Sequence, residues 1–149
     1  MATLKISDLS VGDWVYHDDI VFGREIAKVH RLNKDKNGET IGITVYRSDG
    51  AFGVVGYIWT SPTHGDLHPI PITAEILEKN GLEYVDDGND AVIFLCCDMF
   101  WARLCIGDTF WQVGIHSEDR LDAVVCNVKH IHQLQHALRL AGLDEEINL

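Results

Sequence analysis

The sequence predicts an α+β protein: an N-terminal SH3-like or rolled antiparallel β unit over about residues 1–68, then a C-terminal antiparallel sheet packed by a final helix over 69–149. Three observations predict it. Short apolar runs divided by turn residues fill the first half, which is the pattern of small antiparallel barrels. A second series of short strand-like runs occupies 82–128. At the end, Ile131, Leu134, Leu138 and Ala141 fall three and four apart, the period of one helix face. A chain of 149 residues is one domain or two very small ones, and the two units can share one core.

Val11-Gly12-Asp13 reads as a turn that leads into a strand at Trp14-Val15-Tyr16. This pattern is common where a chain enters an SH3-like barrel, an analogy of architecture that carries no function. Residues 21–32 are mixed, with Ile26 and Val29 expected inward, and 33–38 form a polar loop ending in the Asn37-Gly38 turn signal. Ile41, Ile43 and Val45 alternate with Gly42, Thr44 and Tyr46, the period-two signature of a strand, closed by Ser48-Asp49-Gly50. Residues 51–60 make a further strand in which Gly53 and Gly56 mark a bulge or tight bend.

Residues 61–72 read as a connector. Pro62, Pro69 and Pro71 hold it extended and bar it from a central strand. Thr73 is the expected N-cap of a short helix over about 74–80, its hydroxyl accepting the N–H of residue 75 or 76. Glu75 suits the helix dipole, Ile76 and Leu77 supply the buried side, and Gly81 supplies a left-handed stop. Strands are expected at 82–85, 91–97, 100–106, 109–115 and 123–128, with turns at 87–90 and at Gly107-Asp108. The final helix spans about 129–141 and stops at Gly142, and Ile147 and Leu149 pack the tail back.

Composition narrows the function. The longest apolar run, residues 91–97, is far below the ~20 residues that span a bilayer, and the first residues have no signal-like apolar stretch. A cytoplasmic protein without membrane association is expected. Cys96, Cys97, Cys105 and Cys126 show no Cys-x-x-Cys spacing and read as reduced, structural residues. The formal net charge is -11; residues 1–72 hold nine acids and seven bases, residues 73–149 fourteen and five. So acidic a chain is poorly suited to direct binding of a nucleic-acid backbone. Its charge keeps it soluble, or presents an acidic surface to a basic partner.

The best candidate for metal chemistry is the loop Thr63-His64-Gly65-Asp66-Leu67-His68-Pro69. Imidazole and carboxylate are good ligands for zinc and similar ions, but an extended segment spreads His64, Asp66 and His68 over ~13 Å. One ion reaches all three only if the loop curls at Gly65. His132 and His136 are four apart on one helical face. Zincins use this spacing with a glutamate after the first histidine, where this chain has Gln133. The pair therefore reads as a solvated or interfacial polar face. His17-Asp18-Asp19 reads as a turn with Asx-type bonds, and Ser117-Glu118-Asp119 beside His116 as a loop. No nucleophile elbow and no dinucleotide-binding glycine loop in a strand-to-helix setting are present. Trp59, Trp101 and Trp111, with Trp14, are either core or partner-binding rings. Phe100-Trp101 and Phe110-Trp111 are adjacent pairs, so one ring of each faces away from the other.

Residues 5–15, 69–81 and 128–142, in that order, resemble a group of small uncharacterised proteins of gut Bacteroidetes and their phages and mobile elements. The resemblance implies a small protein of such a setting and brings no catalytic residues. His132, Leu134 and Gln135 match the group's pattern before the final helix. His130 stands where the group usually has an aromatic residue, and the match at His132 implies a structural role at the helix start.

The expected function is a non-enzymatic interaction protein of phage or mobile-element origin, an acidic protein-binding module being one form of it. The expected partner is another protein or a second copy, with Trp59, Trp101, Trp111, His132 and His136 as contact candidates. No cofactor is expected under this reading. The alternatives are a metal-dependent enzyme holding a divalent ion at His64, Asp66 and His68, joined by His17 or His116, and a structural or assembly protein.

Overall fold

A computed structural model describes residues 4–46, 54–86, 91–96, 100–105, 109–115, 123–143 and 147–149. The chain divides into two compact units, Met1–Ile70 and Pro71–Leu149. The architecture is α+β, with an antiparallel five-stranded sheet in each unit and a C-terminal helix packed in the second.

The first unit holds β1 (Trp14–Asp19), β2 (Gly23–Asp35), β3 (Gly38–Tyr46), β4 (Val54–Thr60) and β5 (Leu67–Pro69). A 3-10 turn, Pro62–His64, separates β4 from β5, and the sheet order is β4-β3-β2-β1-β5. In that order β1 to β4 form a meander, and the short β5 returns to pair with β1.

The turn before β1 is built as its residues dictate. Buried Asp13 accepts the Ser10 N–H through Oδ2 at 2.7 Å, and the Gly12 N–H donates to the Val29 carbonyl at 2.7 Å. The β2–β3 connection is shorter than the expected polar loop. Strands run to Asp35 and from Gly38, leaving Lys36 and Asn37 at the tip, with the Asn37 N–H on Asp35 Oδ1. Gly38 has φ +129°, a conformation that favours glycine.

The connector also differs from expectation, because it contains β5. Pro69 pairs with Val15, and the strand is tolerated because it lies at the sheet edge, where a missing N–H costs little. In β4 the register shift falls between Val45 and Tyr46, next to Gly56, at one of the two glycines expected to mark it.

Val15, Ala27, Val29, Ile41, Ile43, Val45 and Leu67 form the core of this unit with Leu4 and Leu9. Each of the valine, leucine and isoleucine side chains contributes about 1.5–3 kcal/mol on burial. Ile26 lies on the opposite face from Val29 and is half-buried; the inward row of β2 is Glu25, Ala27 and Val29.

The second unit holds α1 (Ala74–Lys79), β6 (Glu83–Asp86), β7 (Ala91–Cys96), β8 (Phe100–Cys105), β9 (Trp111–Ile115), β10 (Ala123–Val128) and α2 (Ile131–Leu140). Its sheet is a meander of order β10-β9-β8-β7-β6. Thr73 caps α1 as expected, Oγ1 accepting the Ile76 N–H at 3.3 Å, and Gly81 follows with φ +77°. A bridge between Pro71 and His130 and the Ile72 N–H to the Lys129 carbonyl at 3.2 Å fix the start of this unit beside the start of α2.

Helix α2 buries Ile131, His132, Leu134, Gln135, Ala137 and Leu138, a wider face than the apolar residues alone mark out. Ile147 is buried, and its N–H donates to Gln135 Oε1 at 2.9 Å. Asn148 exchanges two hydrogen bonds with Asn80, so the tail packs back. The expected turns at 87–90 and 107–108, and the His116 loop, lie outside the described residues. Among the described residues no helix is long and apolar enough to cross a membrane.

Candidate functional site

Two features of the first unit gather chemistry-bearing side chains. The first is the outer face of its sheet. Strand register places Tyr16, Ile26 and Tyr46 in one row, Trp14, Lys28, Thr44 and Tyr57 in the next, and Gly42 beside Trp59 in a third. Cations lie over the rings: Arg24 is 5.3 Å from the Tyr16 centroid, Lys28 5.1 Å from Trp14 and Arg31 5.7 Å from Trp59. Such contacts hold both groups at fixed positions with part of their surface still wet. Trp14 is buried against Tyr46, while Tyr57 is 73% and Trp59 51% exposed.

A bulge shapes the far end of this face. The β2–β3 register shifts between Val29 and Arg31, so His30 is the extra residue. Its ring lies over Gly42, edge-on to Tyr57 at 5.1 Å and Trp59 at 6.0 Å, with Nδ1 3.4 Å from Thr44 Oγ1. The close approach requires the glycine, since a Cβ at position 42 would lie 2.8 Å from His30 Nε2. Strand β4 ends the sheet on this side, and among the described residues no strand pairs with its outer edge.

The second feature lies where β1 turns into β2. His17 and Glu25 are directly paired, both on the inward face and both buried. His17 Nδ1 is 3.8 Å from Glu25 Oε2, and its Nε2 is 3.7 Å from Asp66 Oδ2. Asp66 is held by the Thr60 hydroxyl, which donates to the carboxylate at 2.7–2.8 Å. The Asp18 N–H also bonds the Asp66 carbonyl at 2.8 Å. His17, Asp18 and Asp19 are not the turn their sequence suggests but the paired end of β1; only the Asx-type bonds hold, with Asp19 Oδ1 accepting the N–H groups of Val21 and Phe22 to close the hairpin. Asp18 faces the other way. The Arg24 guanidinium clamps it through Nε and Nη2 and holds its carboxyl below the usual range, with His68 adding to the effect.

The three loop residues singled out as metal ligands do not converge on one point: His64 and Asp66 both approach Thr60, while His68 turns to Asp18. Asp66 joins His17 and Thr60, His68 Nε2 reaches Asp18 Oδ2 at 3.0 Å, and exposed His64 sits 3.5 Å from Thr60 Oγ1. Among the described residues, the group of three placed to share one ion is His17, Asp19 and Glu25, whose ligand atoms lie within 4.8 Å of one another. Glu25 was not legible as a ligand. Its signal was an acid in the inward row with Ala27 and Val29.

In the second unit, Trp111 is 5% and His132 3% exposed, too little for either to contact a partner directly. The histidine pair is therefore not a solvated face. His132 stacks on His130 with centroids 5.7 Å apart, and half-buried His136 meets it edge-on at 6.1 Å. Burial, reinforced by Lys129, pushes His130 below its ordinary value. Trp101 is half-buried on β8, on the face opposite Phe100 and Ala102. Half-buried Cys126 has its thiol pushed up by burial, which makes it a poor nucleophile.

Set against known protein families, curated proteins and solved structures, the chain matches none of them.

Proposed function

We propose that this chain is a non-enzymatic interaction protein whose first unit takes up an extended segment of another protein along β4. The observation that carries this is the conjunction at β4 of an edge that no strand pairs with among the described residues and two exposed rings, Tyr57 and Trp59. Residues 54–60 contain no charged side chain. Sheet edges left to solvent are usually guarded by charge or proline, so an unguarded edge suits strand addition. Main-chain hydrogen bonds then give affinity and alternate side chains give specificity. Tyr57 and Trp59 are two apart and project to the same side, forming with His30 a ledge for an apolar or aromatic side chain of the partner. Arg31 and Lys28 favour a carboxylate on that segment. The phage or mobile-element setting implied by the resemblance belongs to this proposal.

The test is selection from a displayed library of short extended peptides, followed by titration of the winners. Peptides with an apolar residue and an acid two or so positions apart are expected, with affinity falling tenfold or more in Trp59→Ala. Failure to select any peptide, or winners indifferent to Trp59→Ala, overturns the reading. A concentration-dependent dimer lost in Trp59→Ala would overturn the choice of a foreign partner and make the occupant a second copy.

A further inference from the structure

We propose that His17, Asp19 and Glu25 form a binding site for one first-row divalent cation, with Asp66 as the carboxylate that orients the histidine. The site is distinct from the Tyr57–Trp59 ledge and lies on the inward side of the sheet, touching β4 only through Thr60, which holds Asp66.

Chain geometry assembles the donors. His17 and Asp19 are two apart on β1 and so share a face. Glu25 is the direct cross-strand partner of His17, so the hairpin brings all three together without any distant segment. Their ligand atoms lie within 4.8 Å of one another. Two donors each ~2.1 Å from one ion sit at most ~4.2 Å apart. The His17–Glu25 separation of 3.8 Å already satisfies this, and a pair at the outer bound has to close by roughly 0.6 Å.

The independent sign is the imidazole itself. His17 is 4% exposed, and its Nδ1 is buried without a hydrogen-bond partner while facing the Glu25 carboxylate. A buried polar atom left unbonded is costly and uncommon in a folded protein. A neutral imidazole nitrogen aimed at a carboxylate gains nothing if it carries no proton, because both atoms are then acceptors. A cation between them turns both lone pairs into ligands. The other nitrogen, Nε2, faces Asp66, itself fixed by the Thr60 hydroxyl. Carboxylate, imidazole and metal in that sequence is the usual outer shell of a metal-bound histidine, since the carboxylate fixes the tautomer and raises ligand basicity.

One nitrogen and two carboxylates suit Zn2+ or Mn2+ better than Ca2+ or Mg2+, which prefer oxygen alone. Zn2+ is the stronger binder of the two by the general order of divalent affinities and is the probe to use. The proposal assigns binding only and no reaction.

The experiment is calorimetric titration of Zn2+ into chelator-stripped, dialysed full-length protein, repeated with His17→Asn, Asp19→Asn, Asp66→Asn and the control His136→Asn. One ion per chain is expected in the wild type and in the control. His17→Asn and Asp19→Asn should lose that saturable event, and Asp66→Asn should weaken it by about 10–100-fold. Cobalt substitution adds a readout that a merely structural pair would not move: a d–d absorption band present in wild type and absent in Asp19→Asn. Asp19 is half-buried at the end of β1 beside the hairpin turn, so this variant keeps the test valid if His17→Asn fails to fold. No saturable binding in wild type, or binding equal in wild type and Asp19→Asn, overturns the proposal.

Discussion

Gly42→Ala tests how the aromatic face is held together, and the structure fixes its sign. The new Cβ would lie 2.8 Å from His30 Nε2 and 3.0 Å from Cε1, too close to stay, and 3.3 Å from Arg31 Cβ. The imidazole is the end of a side chain, so it swings away instead of forcing the backbone apart. It then gives up its edge-on contacts with Tyr57 and Trp59 and its approach to Thr44. Aromatic contacts of this kind are worth about 0.5–1.5 kcal/mol each, so two of them come to about 1–3 kcal/mol. Against this, alanine in a strand interior gains about 0.5–1 kcal/mol over glycine in backbone entropy. The contact loss wins, and Gly42→Ala should destabilise the first unit by about 0.5–2 kcal/mol. In a His30→Ala background the ring contacts are already gone and only the 3.3 Å approach to Arg31 Cβ remains, so the same change should cost less than in wild type and stabilise by at most ~1 kcal/mol. Urea unfolding followed by tryptophan fluorescence on the four proteins of this double-mutant cycle reads the coupling. The reasoning fails if Gly42→Ala has the same effect in both backgrounds.

Other expectations follow from the second unit and the proposed sites. Thr73→Ala removes the hydroxyl that caps α1 and should cost about 1 kcal/mol, measured by thermal unfolding, with Thr73→Ser restoring most of it. His130 is held below its ordinary 6.5 by burial, so the unfolded chain binds its proton more readily than the folded one. The resulting stability is present above about pH 6.5 and is lost as pH falls through the lowered folded value. His130→Asn should therefore lose less stability than wild type between about pH 7 and about pH 5; parallel pH curves for the two would contradict this. Zn2+ should protect wild type against thermal unfolding and leave Asp19→Asn unprotected, because an ion that binds the folded state stabilises it by mass action.

The sheet and helix pattern was legible wherever one residue type decided the local conformation. Alternation marked β3, the threonine and glycine marked both ends of α1, and three-four spacing marked α2. The misreadings share a cause, which is that sequence spacing does not report register. The bulge at His30 and the return of β5 beside β1 are both long-range pairings. Two prolines near an edge strand look like a connector until the pairing partner is known. The candidate metal site was half legible for the same reason. His17, Asp19 and Asp66 each belonged to a polar cluster that stood out, but Glu25 joins them only through the cross-strand pair with His17. Trp59 and Trp111 are indistinguishable in sequence, since both lie in short apolar strands. Trp59 projects from the outer face of an edge strand, whereas Trp111 pairs with Val128 in the interior of its unit.

The central claim is that β4 is a docking edge. The most direct measurement is an amide chemical-shift map of the isotope-labelled full chain as a selected peptide is added. The account predicts changes concentrated on residues 54–60 and on the Trp59 indole N–H, with newly slowed hydrogen exchange along β4 and none on α2. Changes that cluster around His132 and His136, or that spare β4 altogether, would contradict it.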